Sequence, residues 1–68
     1  MKFEYDKEVD AGYFYLVDRI ADGEAVKTIE LEPNIILDFN KDGKLLGIEV
    51  LNASKILKKD VLTKAKIN

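Results

Sequence analysis

The chain has no cysteine and no histidine. The first absence excludes disulfides and thiolate metal sites. The second removes the side chain most often used as a metal ligand and as a general base. Proline occurs once, at Pro33, and arginine once, at Arg19. The net charge of −2 is weak, and of the wrong sign for a nucleic-acid footprint, which needs a basic surface. No apolar run approaches the ~18 residues of a membrane span, and the opening MKFEYDKEVD has no apolar signal-peptide core. The expectation is a cytoplasmic protein with no membrane and no nucleic-acid partner. In that setting the glycosylation pattern Asn52-Ala53-Ser54 is coincidental.

What is present suffices for a folded domain. Hydrophobic residues at 47% and charged residues at 35% mark a globular chain and not a disordered one. Its 68 residues make a single domain, 1–68, whose core leaves little margin of stability. With disulfides excluded, a partner subunit is the expected source of extra stability.

The chain reads as short β runs followed by a helical tail. KFEYD, 2–6, alternates Phe3 and Tyr5 with polar residues, the period of a half-buried strand. AGYFYLV, 11–17, is apolar on both faces, Tyr13, Tyr15 and Val17 against Phe14 and Leu16, and belongs in the middle of a sheet. After the Asp22-Gly23 turn come AVKTIEL, 25–31, NIILDF, 34–39, and KLLGIEVL, 44–51, with Pro33 breaking the first from the second. Asn52 stands as a helix N-cap before a helix over about 53–65, with Asp60 as an alternative cap for a second short turn. Lys64 and Lys66 suit the helix C-terminus. The short connections predict an α+β fold: an antiparallel meander of about five strands followed by one C-terminal helix.

One stretch carries an apparent motif. Asp38–Glu49, DFNKDGKLLGIE, satisfies the twelve-residue EF-hand pattern at every specified position. Calcium loops need an entering and a leaving helix. Here EPNIIL precedes and LLGIEVL follows, both strand-like. The cheaper reading is a hairpin, either a type I turn over Asn40–Gly43 with a bulge at Gly43 or a type I′ turn at Asp42-Gly43. Asp38, Asn40 and Asp42 remain only weak metal candidates, and no cofactor is expected. A second acidic series, Asp6, Glu8 and Asp10, also has ligand spacing but lacks the Gly and the Glu that complete it.

Catalytic chemistry finds no residue set. The hydroxyls Thr28, Ser54 and Thr63 have no histidine to activate them. Gly43 and Gly47 precede no helix, so they make no phosphate cradle, and Gly47 within a strand marks a bulge or a close packing contact. The tyrosines are read as packing groups. A non-enzymatic role follows.

What survives is an excess of apolar faces over the helix available to cover them. One helix covers one face of a sheet, which leaves Tyr13, Tyr15, Leu45 and Leu51 as interface candidates. The expectation is a homodimer or a complex with a small protein, with Asp6, Glu8 and Asp10 as electrostatic contacts to a basic partner. The alternative function is weak binding of a divalent metal or small ligand.

Two runs, YDKEVDAGYFYL and ELEPNIILDFNKDGKLLGIEVLNAS, carry a resemblance. The first is similar to a Y-D-x-E-x-D-A-x-Y-x-x-L opening. The second is similar to a strand, D-x-x-x-G and G-I-E-I-L-x-A-S succession. Together they resemble the small prokaryotic family called domain of unknown function 2283, over about Lys2 to Ser54. Where that family commonly has a large apolar residue, this chain has Gly12. The resemblance implies a β-rich protein with no catalytic residues to carry over. Since members are often encoded beside small ribonuclease-type toxins, it also implies an antitoxin-like partner role.

Overall fold

The computed structural model describes residues 1–67. Strands β1 (Lys2–Asp6), β2 (Ala11–Tyr15), β3 (Lys27–Leu31), β4 (Ile35–Phe39) and β5 (Leu45–Leu51) are followed by helices α1 (Ala53–Ile56) and α2 (Lys59–Thr63) and by a two-residue strand β6 (Lys66–Ile67). The sheet order is β3-β4-β5-β2-β1-β6. All pairings are antiparallel except β1 with β6, which is parallel.

The fold is α+β, but the simple meander is corrected. Tight turns join β1 to β2, β3 to β4 and β4 to β5, so those pairs are neighbours. Residues 16–26 are too long for a tight turn and let β3 pass to the far edge, while β5 takes the place beside β2. Central placement selects the strand that tolerates neighbours on both sides: β5 buries Leu46, Gly47 and Val50, whereas all five residues of β3 are exposed.

The single helix over 53–65 is also corrected. Leu57 and Lys58 are extended, with ψ of 146° and 149°, and divide the segment into two short helices. A straight helix of that length would run about 20 Å away from its start. The break turns the chain back along the sheet, so that Leu57, Leu62 and Ala65 all reach the core and Lys66 enters β6 beside Glu4 instead of ending a helix.

Paired residues share a face. On the helix side, one cross-strand row reads Phe3, Phe14, Ile48, Leu37, Ile29, and the next reads Tyr5, Gly12, Val50, Ile35, Leu31. The helices cover the β1, β2 and β5 end of these rows: Tyr5, Val50 and Ala53 are buried, with Phe3, Phe14 and Ile48 packed against them. The Phe3 and Phe14 rings stack at 4.1 Å. A Cβ at Gly12 would lie 2.6 Å from Phe3 Cζ, so the missing side chain is what admits that ring. The opposite face is polar and aromatic, with rows Lys2, Tyr15, Gly47, Asp38, Thr28 and Glu4, Tyr13, Glu49, Ile36, Glu30.

Candidate functional site

Asp10 is the most connected acidic residue. It closes the β1–β2 turn with a left-handed φ of 54°, a conformation Asp tolerates better than most residues. Its carboxylate accepts bonds from the Tyr5 hydroxyl at 2.6 Å, the Ser54 hydroxyl at 2.7 Å and the Ser54 N–H at 3.0 Å. Its carbonyl accepts the Ala53 N–H at 2.9 Å. Hydrogen bonds to the charged form, Tyr5 first and then Ser54, hold its carboxyl below the ordinary range, and the same bond raises Tyr5. Asp10 thus performs the capping that Asn52 was expected to supply. Asn52 sits at the N-cap position with φ 53° but makes no side-chain cap, and its amide donates to Asn34 instead, at 3.0 Å.

The other acidic loop residues do not join it. Asp6 accepts the Glu8 N–H at 3.0 Å and shapes its own turn, and Glu8 is exposed. The expected trio of Asp6, Glu8 and Asp10 therefore splits between a local turn, solvent and a clamp on α1.

On the polar face, Tyr13 leans across β5 and donates to Asp38 of β4 at 2.6 Å. The crossing is possible because Gly47 lies underneath. A Cβ there would sit 2.7 Å from Tyr13 Cζ, so the close contact read from a glycine within a strand is with the Tyr13 ring. Thr28 donates to the second Asp38 oxygen at 3.0 Å, linking β2, β4 and β3. Burial first, then the Asp38 bond, raises the Tyr13 phenol well above its ordinary range. Tyr15 packs on Tyr13 at 4.6 Å and carries the Lys2 ammonium over its ring at 4.6 Å. Beside Tyr13, Glu4, Asp6 and Glu49 line a shallow hollow of about 190 Å³, small against the ~300 Å³ at which ligand pockets begin.

The EF-hand spelling folds as a hairpin. Gly43 N–H bonds the Asn40 carbonyl at 3.0 Å, Gly43 has φ 78° and Asp42 is not left-handed, so the type I turn with its bulge is formed and type I′ is not. Asn40 Oδ1 accepts the N–H groups of Asp42 and Lys44, at 3.0 and 2.9 Å, while Asp38 is turned to Tyr13. Asp38, Asn40 and Asp42 do not converge. Among the described residues, no group of three or more His, Cys, Asp or Glu side chains is placed to hold a metal ion.

The four interface candidates are not one surface. Tyr13, Tyr15 and Leu51 project to the polar face. A register shift makes Leu46 an extra residue opposite Phe39, so Leu45 turns to the helix side with Phe39. All four are half-buried. The exposed large apolar side chains lie elsewhere: Met1 at the start of the chain, Val9 in the β1–β2 turn, Val26, Ile29 and Leu31 in and beside β3, and Ile56 on α1. Exposure climbs along the helix-side row from Val50 at 3% to Leu31 at 49%, because the short helices stop before β4 and β3. The alternation of Ile29 and Leu31 in KTIEL was the available signal, but nothing local tells that the covering helix ends short of them.

The chain belongs to the family described as protein of unknown function (DUF2283), whose model matches residues 2–54. It is 37% identical over 60 residues to an uncharacterised protein of Methanocaldococcus jannaschii, MJ0789, covering 88% of this chain and 47% of that one. The chain thus spans about half the length of that curated relative. No solved structure matches it. The family match ends at Ser54, so it takes in both halves of the Asp10–Ser54 clamp. Among the described residues, no helix is long and apolar enough to cross a membrane.

Proposed function

We propose that this chain is a non-enzymatic protein–protein interaction module. Its docking surface is the β3–β4 end of the helix-side sheet face. The observation that carries this reading is the gradient of cover along two continuous apolar rows. The same row holds Val50 at 3% exposure and Leu31 at 49%, and Ile29 on the neighbouring row is at 37%. Full burial of a medium apolar side chain is worth roughly 1.5–3 kcal/mol. Ile29 and Leu31, at 37% and 49% exposure, still forgo part of that, which matters in a small domain whose whole stability is of order 5 kcal/mol or somewhat more.

A second reading concerns the class of partner. On the opposite, polar face, apart from that docking surface, the two rows carry Glu4, Glu30, Asp38 and Glu49 against Lys2 and Lys66. That balance suits a small basic protein, as in the antitoxin-like role that family resemblance implies.

A photo-crosslinking side chain placed at Leu31, and separately at Lys41 on the hairpin tip, tests the module in the host cell. Covalent adducts with protein from Leu31 and few from Lys41 are expected. Absence of adducts from Leu31 overturns the reading.

A further inference from the structure

We infer that the partner on this surface is a second copy of the chain, joined through β3 as an antiparallel strand pair about a two-fold axis at Ile29. This rests on the reading of the chain as an interaction module. The two sheet edges differ. At one, β6 pairs with part of β1. At the other, β3 pairs with β4 on one side, and no strand among the described residues pairs with its outer side. All five of its residues are exposed. It contains no proline and no bulge, two of the devices that blunt an edge; its charges, Lys27 and Glu30, flank Ile29 and do not interrupt it. Its outward N–H and C=O groups therefore present a ladder ready to extend.

The strand KTIEL is self-complementary in one register. For two copies whose helices stand on the same side of a joined sheet, opposed residues must share a face. This admits pairing about Thr28, Ile29 or Glu30. Pairing about Glu30 sets two carboxylates opposite each other, which is destabilising. Pairing about Thr28 leaves Leu31 beyond the strand of the other copy. Pairing about Ile29 uses the whole strand. Ile29 meets its own counterpart, Thr28 meets Glu30, and Lys27 lays its aliphatic stem beside Leu31. The row Phe3, Phe14, Ile48, Leu37, Ile29 then runs unbroken through both copies. The relative that this chain half covers is roughly twice as long as the match, which leaves length for another unit of this size on one polypeptide.

A five-residue ladder is small beside the ~800 Å² per partner of a standard interface, so the dimer is concentration-dependent. The absence of cysteine gives a clean test. Cα atoms directly opposite in an antiparallel pair lie within disulfide reach. Under mild oxidation, the 68-residue chain carrying Ile29→Cys is expected to become a covalent dimer, as is an equimolar mixture of Thr28→Cys with Glu30→Cys. Lys41→Cys stays monomeric, and Ile29→Lys halves the solution mass at concentrations where the native chain is dimeric. A native chain that remains monomeric into the millimolar range, or a dimer that links through Lys41 and not through Ile29, overturns the inference. If the chain is monomeric yet Leu31 still crosslinks to another protein in the cell, the second copy is excluded and the interaction module stands. If neither occurs, both fail.

Discussion

Two positions, Asp10 and Gly47, make contacts with residues far along the chain, Ser54 and Tyr13. Asp10 is normally a loop carboxylate with an ordinary value of 3.8, and here Tyr5 and Ser54 favour its charged form. Its folded value is therefore below its unfolded value, so the clamp stabilises fully above the ordinary carboxylate range and loses that contribution as pH falls through the folded value. Asp10→Asn keeps the tolerance for positive φ and removes the charge. It should lower the unfolding midpoint at neutral pH, with the difference from the native chain shrinking as the pH is taken down through the carboxylate range. Thermal melts across that range check this, and a gap that persists in strong acid sinks it. At Gly47 the test is a double-mutant cycle. Gly47→Ala drives a methyl into the Tyr13 ring and should cost about 1–3 kcal/mol. In a Tyr13→Ala background the same change should be neutral or stabilising, because a strand glycine is entropically costly. Denaturant melts of the four proteins give the coupling. A close contact at Gly47 was legible in the sequence, but its partner was not. The Ser54 partner of Asp10 was not legible for the same reason: it lies 44 residues away, and only the return of the chain after β5 brings them together.

The elements that formed as read are those specified by local chemistry. The Asn40–Gly43 hairpin is written in four adjacent residues, with Asn40 bonding two N–H groups of its own turn and Gly43 supplying the left-handed φ of 78°. Gly43→Ala should therefore cost about 1 kcal/mol through backbone strain alone, since open space surrounds the position and no packing is lost. Equilibrium unfolding measures it, and an unchanged midpoint would refute the left-handed assignment. The same geometry predicts that calcium leaves the amide resonances of Asp38–Glu49 unmoved, as read in a titration by two-dimensional NMR. The tail and the sheet order were less legible. A stripe of Ile56, Leu57, Val61 and Leu62 fits one helix; Asp60 signals the alternative of a second short turn, which forms as α2, but with Lys58 and not Asp60 at its N-cap position. The break at Leu57-Lys58 answers to where Tyr5 and Val50 lie, and so to tertiary packing. Strand order failed at the 16–26 connection, where length removes the rule that successive strands are neighbours.

At the scale of the molecule, cover and protection should run together. The sheet is densest where β5 and β2 have neighbours on both sides and helices above, and thinnest at β3. Opening free energies follow buried contacts and the number of flanking strands. Amide hydrogen exchange at low concentration should accordingly rank β5 and β2 slowest, β4 and β1 intermediate, and β3 fastest. The two-fold pairing adds a second, separable dependence. As concentration rises, the outward amides of Lys27–Leu31 should slow in step with dimer population, while those of Leu45–Leu51 hold their rates because their bonds are already internal to one chain. Exchange at β3 that is slow and independent of concentration would mean that its edge is closed within the chain. The uncovered rows would then have lost both their exposed end and their reason for a partner.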